Sequence, residues 1–548
     1  MLRSFKYALM GATAFAVAAH AAEPDQVPTT NNYSLETVIE PSAFHGIHGL
    51  TFTRDNRLLA GSVLGRTIYE IDIENKTSST YIGAPLGMAD DLEEGPNGEL
   101  GWTAFLEGKY YLRTKDGETR TLAEGLPGLN STAWAPDGRL FTTQVFLGDA
   151  LYELDPSGNT PPRKIIEGMG GLNGFDFGPD GKLYGPLWFK GEIVRVDVDS
   201  GAMETIADGF NVPAAVNFDS KGNLWAVDTA AGQVVRVNVE TGEKTIVANV
   251  DPSIDNLALN ADDRLFISNM ADNAIIQVNT ETGETTPIVK GALAVAADIA
   301  HGHNADGEEV IFIGDLFSFR ALNVATGELS EIGRVFGANI DYPISVGVNG
   351  EQIALAGWSA GMVQTYDTST GELGDIHHNF TTPTDALPLP GGDVLVAEFA
   401  RGALVRVDST DWSKRTDIAT DLAGPTSLLI SANGKVLVSE NIGGTISEID
   451  LETGVRTVLA SDLQGPEGFD QADDGTLYIA EVGTKSISRI SPDGTKVTIG
   501  ANLPIGFAGP ADGLPVYVPT GVVLSDSGDI YFTADEVAGL YRLTPASE

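Results

Sequence analysis

Three glycines, Gly201, Gly242 and Gly283, follow one another at intervals of 41 residues, each closing the same Ser/Thr-Gly turn. The stretches ahead of them repeat as well: Leu172 to Tyr184, Pro213 to Trp225 and Ile254 to Phe266 each read as an alternating apolar run, a polar turn, and a second run. A third run follows in each unit, Glu192 to Asp197, Gln233 to Asn238 and Ala274 to Asn279, and the turn glycine then leads into a fourth. Alternation with a period of two over four to seven residues predicts strands. Gly behind Asp, Asn, Ser or Thr supplies the positive φ that tight hairpins need. A repeat of this length built from one small unit is the signature of a repeat architecture.

Twelve first strands are expected, starting near His48, Met88, Leu129, Leu172, Pro213, Ile254, Ala296, Pro343, Pro383, Pro425, Pro466 and Pro519. The fold class is therefore all-β, and a four-stranded antiparallel sheet every ~40 residues describes a propeller blade. A stacked β-solenoid is the competitor; hairpins inside each unit favour blades. Rings close with about four to eight blades, so the division predicted is six plus six, residues 23–291 and 292–548. The last unit ends before a fourth strand, and Tyr33 to Glu40 is a lone strand that would supply it. That closure would tie the start of the mature chain to its end, and leaves a single large ring or an exchanged blade open as alternatives.

Residues 1–22 read as a secretory signal: Arg3 and Lys6, an apolar run from Ala8 to Ala19, and the small-x-small site Ala19-His20-Ala21. The mature protein is expected in the periplasm or secreted, with no membrane insertion. The chain has no cysteine, so no disulfide contributes to its stability. Its net charge of -43 excludes nucleic acid as a partner and favours divalent cations.

In a ring of blades, first-strand starts and second-strand ends converge on one mouth, where loops on a rigid scaffold build sites. In the first half these positions hold His48, Asp90, Asp91, Asn130, Asn173, Asp255 and Asn256, then Gln144, Trp188, Asp228 and Asn269. Oxygen donors without cysteine suit a hard cation, Ca²⁺ or another such as Mg²⁺. An imidazole beside carboxylates, His48, suits a general base. Asp255 and Asn256 are candidate metal ligands. In the second half the corresponding positions are more acidic: Asp315, Asp385, Glu398, Glu440, Glu467 and Glu481. Facing carboxylates repel unless a cation or proton lies among them, which makes Glu398, Glu440, Glu467 and Glu481 a second candidate metal set. The alternative is that each Asp, Asn or Glu caps its own turn or sheet edge. His301 and His303 fall at the opposite face with only two nitrogens in view, and read as surface-loop residues. The Gly- and Pro-rich segment Ile505 to Pro519 is placed to cover the second mouth.

The turns between strands and the strand starts Asn173-Gly174-Phe175-Asp176 and Gly465-Pro466-Glu467-Gly468 resemble the SMP-30/gluconolactonase/LRE-like group, with NHL-type and streptogramin-lyase-like propellers as neighbours. The resemblance extends over nearly all units. It implies six-bladed rings, one divalent cation at the mouth on a Glu, Asn and Asp set, and metal-assisted opening of lactones. On this chain it favours Asn173 and Asp228 in the first ring and Glu467 in the second, with Asp228 or His48 activating water. The streptogramin-lyase likeness implies a histidine and Mg²⁺, which points to His48. Three functions follow: a periplasmic hydrolase acting on a small lactone or sugar-acid-like substrate, a non-enzymatic propeller binding a ligand or protein partner around a structural cation, and a lyase.

Overall fold

The computed structural model describes residues 27–431, 433–510 and 513–546; the leader expected at residues 1–22 lies outside them. The described chain is all-β, built of twelve antiparallel sheets whose strands follow one another in sequence within each sheet. The sheet of Pro213–Phe218, Leu224–Asp228, Gln233–Val237 and Lys244–Asn249 is typical, with hairpins pairing Phe218 with Leu224 and Asp228 with Gln233. Its second strand is buried throughout and its fourth is mostly exposed, which is why the fourth runs are the polar ones in sequence. One exception to the sequential order is Tyr33–Ile39, which pairs antiparallel with Gly539–Pro545 and completes the last sheet from the front of the chain. Thr29–Thr30 adds a fifth strand to the sheet before it.

The chain divides into two compact units, Ala43–Ala294 and Val295–Glu548, the latter together with the chain up to Ser42. Each contains six sheets. The apolar core of each lies between neighbouring sheets. Val227 and Val234 of one sheet meet Leu257, Leu265 and Ile267 of the next, and Phe312 and Phe319 meet Ile353 and Leu355. In the first unit, Leu58, Ala60 and Tyr69 of its first sheet share a cluster with Ala258, Phe266 and Ile275 of its sixth.

The first strands of neighbouring sheets come close because several of their residues lack a side chain. A Cβ on Gly174 would meet that of Ala215 at 2.4 Å, and one on Gly347 would meet the carbonyl oxygen of Ala386 at 2.1 Å. Several first strands enter their sheets irregularly. Pairing shifts between Pro213 and Ala215, between Ile254 and Leu257, and between Pro466 and Phe469. Such bulges re-aim side chains next to a site.

Candidate functional site

Two positions in each repeat carry the polar groups, and the same local rule places them. At second-strand ends, a side chain reaches back to the loop that leads into its own sheet. Asp228 accepts the N–H groups of Asn211 (2.7 Å), Val212 (2.9 Å) and Ala231 (3.2 Å). Glu398 accepts from Thr381 at 2.7 Å, Glu440 from Ala423 at 2.8 Å and Glu481 from Gln464 at 2.8 Å. Each of those three donors lies 17 residues before its glutamate. All three glutamates are buried, and each also faces a cation: Arg401, Arg456 at 2.9 Å, and Lys496 at 2.7 Å respectively. Asp315 likewise accepts from Val295 at 2.7 Å and from Arg320 at 3.1 Å. A side-chain amide carries donors as well as an acceptor, and Gln144 and Asn269 donate to the carbonyls of Pro127 and of Asp251 and Pro252.

At the first strands, a carboxylate bridges to the next sheet. Asp91 accepts the N–H of Leu92 through one oxygen and that of Thr132 through the other, both at 3.0 Å. Asp176 does the same with Phe177 and Phe218, and Asp470 with Gln471 and Leu524. Glu467 accepts from Thr520 at 2.7 Å. Burial pushes Asp91 up to about 7 and Asp176 and Asp470 up to about 6. Burial, followed by the charge of Asp535, holds Glu467 well above the usual carboxylate range.

In the Ala43–Ala294 unit, His48, Asp90 and Asp255 come together from three different sheets. His48 Nδ1 is 3.1 Å from Asp255 Oδ2 and 3.8 Å from Asp90 Oδ1, each side chain 13–16% exposed. Burial first, then repulsion from Asp255 and Asp91, raises Asp90 well above its ordinary value. Beside them Asn256 Nδ2 lies 3.2 Å from Asp91 Oδ1, 165 residues away. Ser131 Oγ lies 2.7 Å from Asn130 Oδ1 and 3.0 Å from Asn173 Oδ1, while Asn173 Oδ1 also accepts the N–H of Gly174. Second-strand ends on this unit lead into an aromatic group: Phe146 packs edge-on against Phe105, Trp188 and Phe189 at centroid separations of 5.3–6.1 Å. Phe146 holds a left-handed φ of 68°, a strained setting for a bulky residue.

In the Val295–Glu548 unit, a cavity of about 200 Å³ is lined by Asp298, His301, Asp385 and Asp470 among apolar first-strand residues. Burial raises Asp298 to about 7, and burial with the charge of Asp298 raises Asp385. The segment from Ile505 to Pro519 is tied down through Asp535, which accepts the N–H groups of Gly506 and Phe507, and through Trp358, whose Nε1 donates to the Tyr517 carbonyl.

His301 and His303 sit on the strand Ile299–His303, and structure gives them partners that sequence order hid. His301, Glu309 and Asp526 form a cluster able to hold a metal ion, with one ligand atom from each inside a 4.8 Å limit; it is the group of that kind among the described residues. Glu309 opens the neighbouring strand, and Asp526 arrives from a turn of the last sheet, 217 residues further on. The signal that could have found it is the repeat itself: if the last sheet neighbours the first, its turn falls beside this hairpin.

No family model matches the chain, and no curated protein does. Among solved structures it is similar to the extracellular domain of a hybrid two-component system of B. thetaiotaomicron, at 12% identity over 91% of this chain and 76% of that one, TM-score 0.35. It is similar to a gluconolactonase of Xanthomonas campestris, at 17% identity over 43% and 87%, TM-score 0.37. It is also similar to virginiamycin B lyase of Staphylococcus aureus, at 15% identity over 61% and 94%, TM-score 0.27. Likenesses of this size carry no argument about activity. Among the described residues, no helix is long and apolar enough to cross a membrane.

Proposed function

We propose that each unit of six sheets is a closed six-bladed β-propeller, and that the exported protein is a cation-assisted hydrolase of small lactones or sugar-acid-like esters. The propeller reading rests on the succession of sheet-to-sheet cores and on the sixth sheet meeting the first, through Leu58 and Phe266 in one unit and through Gly521 and Ile299 in the other. The hydrolase reading rests on one observation: His48 lies 3.1 Å from Asp255 and beside Asp90, with the Asn256 amide following Asp255 in the chain.

Asp255 orients the imidazole and stabilises it once it has taken a proton, so His48 is the residue to accept a proton from attacking water. Asp90 and Asp255 are the pair that fits a divalent cation, because their mutual repulsion is relieved by one and Asp90 is already strained toward protonation. Asn256 is the neighbouring amide that fits with them. Asp228 and Asn173 fit less well: Asp228 already accepts three N–H groups, out of about four lone-pair sites on a carboxylate. A bound Ca²⁺ or similar ion would polarise the substrate carbonyl. The aromatic group around Phe146 and Trp188 offers an apolar wall to the ring of a lactone.

A second reading is supported by the engagement of Glu398, Glu440 and Glu481 in their own sheets: the Val295–Glu548 unit is a binding propeller without chemistry. The test is a panel of lactones and esters assayed with the full chain, with and without chelator. His48→Ala is expected to lower kcat/KM by about 10²–10⁴-fold, and Asp255→Asn to lower it with a changed pH profile. Turnover that survives both substitutions, or none on the whole panel with Ca²⁺ saturating, sinks the hydrolase reading.

A further inference from the structure

We infer that His301, His303, Glu309 and Asp526 form a site for a borderline divalent cation of the Zn²⁺ kind, and that the ion fastens the first sheet of the Val295–Glu548 unit to its last. The site is independent of the His48, Asp90 and Asp255 cluster.

Sequence dictates half of the arrangement. His301 and His303 are two residues apart on one strand, so both project from the same face of the sheet. Glu309 starts the partner strand directly opposite His303, and its carboxylate lies 3.1 Å from His301 Nε2. Asp526 comes from the hairpin turn between Val522–Leu524 and Ile530–Ala534. Its backbone N–H donates to Glu309 Oε1 at 2.7 Å, so the turn is already docked against the strand pair.

For His301, Glu309 and Asp526 the separations match a shared ion, one ligand atom of each lying within 4.8 Å of the others, and His303 joins them through Asp526. His301 Nε2 lies 3.1 Å from Glu309 Oε1 and 3.6 Å from Asp526 Oδ1, and His303 Nε2 lies 3.2 Å from Asp526 Oδ2. Two ligands of one tetrahedral Zn²⁺, at ordinary metal–ligand lengths of about 2.0–2.1 Å, stand about 3.3 Å apart. The two ring centroids are 5.6 Å apart and nearly perpendicular, so both Nε2 atoms reach Asp526 without stacking. The donor set decides the ion: two imidazoles with two carboxylates suit Zn²⁺ and its neighbours, whereas Ca²⁺ and Mg²⁺ take oxygen ligands almost alone. Accessibility is in place, since the Asp526 side chain is 59% exposed and that of His303 48%. His301 also lines the cavity that holds Asp298, Asp385 and Asp470.

The consequence is mechanical. An ion held by residues 301, 303, 309 and 526 links positions more than 200 residues apart along the chain, at the place where the last sheet of the unit meets its first. It binds the folded chain and finds no such site in the unfolded one, so it stabilises by mass action.

Calorimetric titration of the metal-free full chain with Zn²⁺, Ni²⁺, Ca²⁺ and Mg²⁺, paired with thermal unfolding, tests this. One Zn²⁺ per chain is expected at this cluster, with a rise in Tm, while any Ca²⁺ held at Asp90 and Asp255 should be indifferent to substitutions at residues 303 and 526. Because even residues behind a metal's own ligands alter affinity about 10–100-fold, His303→Gln and Asp526→Asn should each weaken Zn²⁺ at least tenfold. Both change exposed side chains, so each variant's metal-free Tm should stay near that of the parent. His378→Gln, in the same unit but outside the cluster, should leave binding intact. Absence of Zn²⁺ binding, undiminished binding in His303→Gln and Asp526→Asn, or loss only in His378→Gln would overturn the assignment.

Discussion

Asp385 joins two sheets: its Oδ2 accepts the N–H of Leu428, 43 residues further on, at 2.7 Å, while its Oδ1 accepts the N–H of Ala386 at 2.7 Å. Asp385 is 1% exposed. Asp91, Asp176 and Asp470 repeat the pattern at the first strands of other sheets. Buried acids in the central strands thus act as staples between sheets. Asp385→Ala strands two buried N–H groups, at about 1–3 kcal/mol each, and should lower stability by about 2–6 kcal/mol; Asp385→Asn keeps one acceptor and should cost roughly half. Urea unfolding of the two variants checks this, and equal losses would argue against a two-donor role.

That staple marks the limit of what the sequence makes legible. Twelve first strands were readable because alternation and turn glycines are local signals, and the sheets start within a few residues of the expected places; the offsets at Leu92 and Asp176 arise where the chain enters its sheet irregularly, ahead of regular pairing. Tyr33–Ile39 was readable because the last unit lacked a fourth strand. The partners of Asp91 and Asn256, 165 residues apart, and of His301 and Asp526 were not, since they depend on which sheets become neighbours. The recurring Glu398, Glu440 and Glu481 looked like one shared site, yet each contact found for them runs to its own sheet or to the loop before it. Periodicity says that equivalent residues repeat; it does not say whether they face one another or each serve a local bond.

Gly347 tests the close approach of neighbouring first strands. A Cβ there would stand 2.1 Å from the Ala386 carbonyl oxygen and 3.2 Å from Leu387 Cα, both backbone atoms that cannot rotate away. Gly347→Ala should therefore separate two sheets and cost about 1–3 kcal/mol or more, the usual scale of overpacking. Gly307→Ala is the control: it meets nothing within 4 Å, and its φ of 77° makes any loss purely conformational. A Tm for Gly347→Ala no lower than that of Gly307→Ala would refute the packing argument.

The buried acids also set how stability responds to pH. Burial raises Asp91, Asp298 and Asp535 to about 7 and Asp176 and Asp470 to about 6. A carboxyl whose folded value lies above its unfolded one binds its proton more tightly when folded, so its contribution is complete below about pH 4 and disappears as pH rises through 6 to 7. Exposed turn residues act the other way: Asp155, held near 2 by Ser157 and Thr160, supplies stability that is lost only as pH falls through that value. The net charge of -43 adds self-repulsion on the alkaline side. Stability should peak near about pH 4–5 and fall toward pH 8. Thermal unfolding across that range checks the sign, and 0.5 M NaCl separates the causes, since salt screens surface repulsion but hardly reaches buried groups. A Tm that climbs from pH 5 to 8 would contradict the assignment of these acids.

Glu440 and Arg456 form the last and most local test. Glu440 is fully buried; one oxygen takes the N–H of Ala423, and the other takes Ser447 Oγ at 2.8 Å and the Arg456 guanidinium at 2.9 Å. Removing Arg456 leaves the carboxylate with backbone and hydroxyl donors that still favour its charge, whereas removing Glu440 leaves a buried N–H unpaired and a guanidinium facing two hydroxyls. The two losses should therefore be unequal. Glu440→Ala should cost about 1–3 kcal/mol for the buried Ala423 N–H it strands. Because Arg456 is 34% exposed and can turn to solvent, Arg456→Ala should cost about 1 kcal/mol or less, as surface pairs do. A double-mutant cycle measures the direct coupling; a coupling close to the whole Glu440→Ala loss would mean that the ion pair, and not the backbone bond to Ala423, is what this glutamate is there to make.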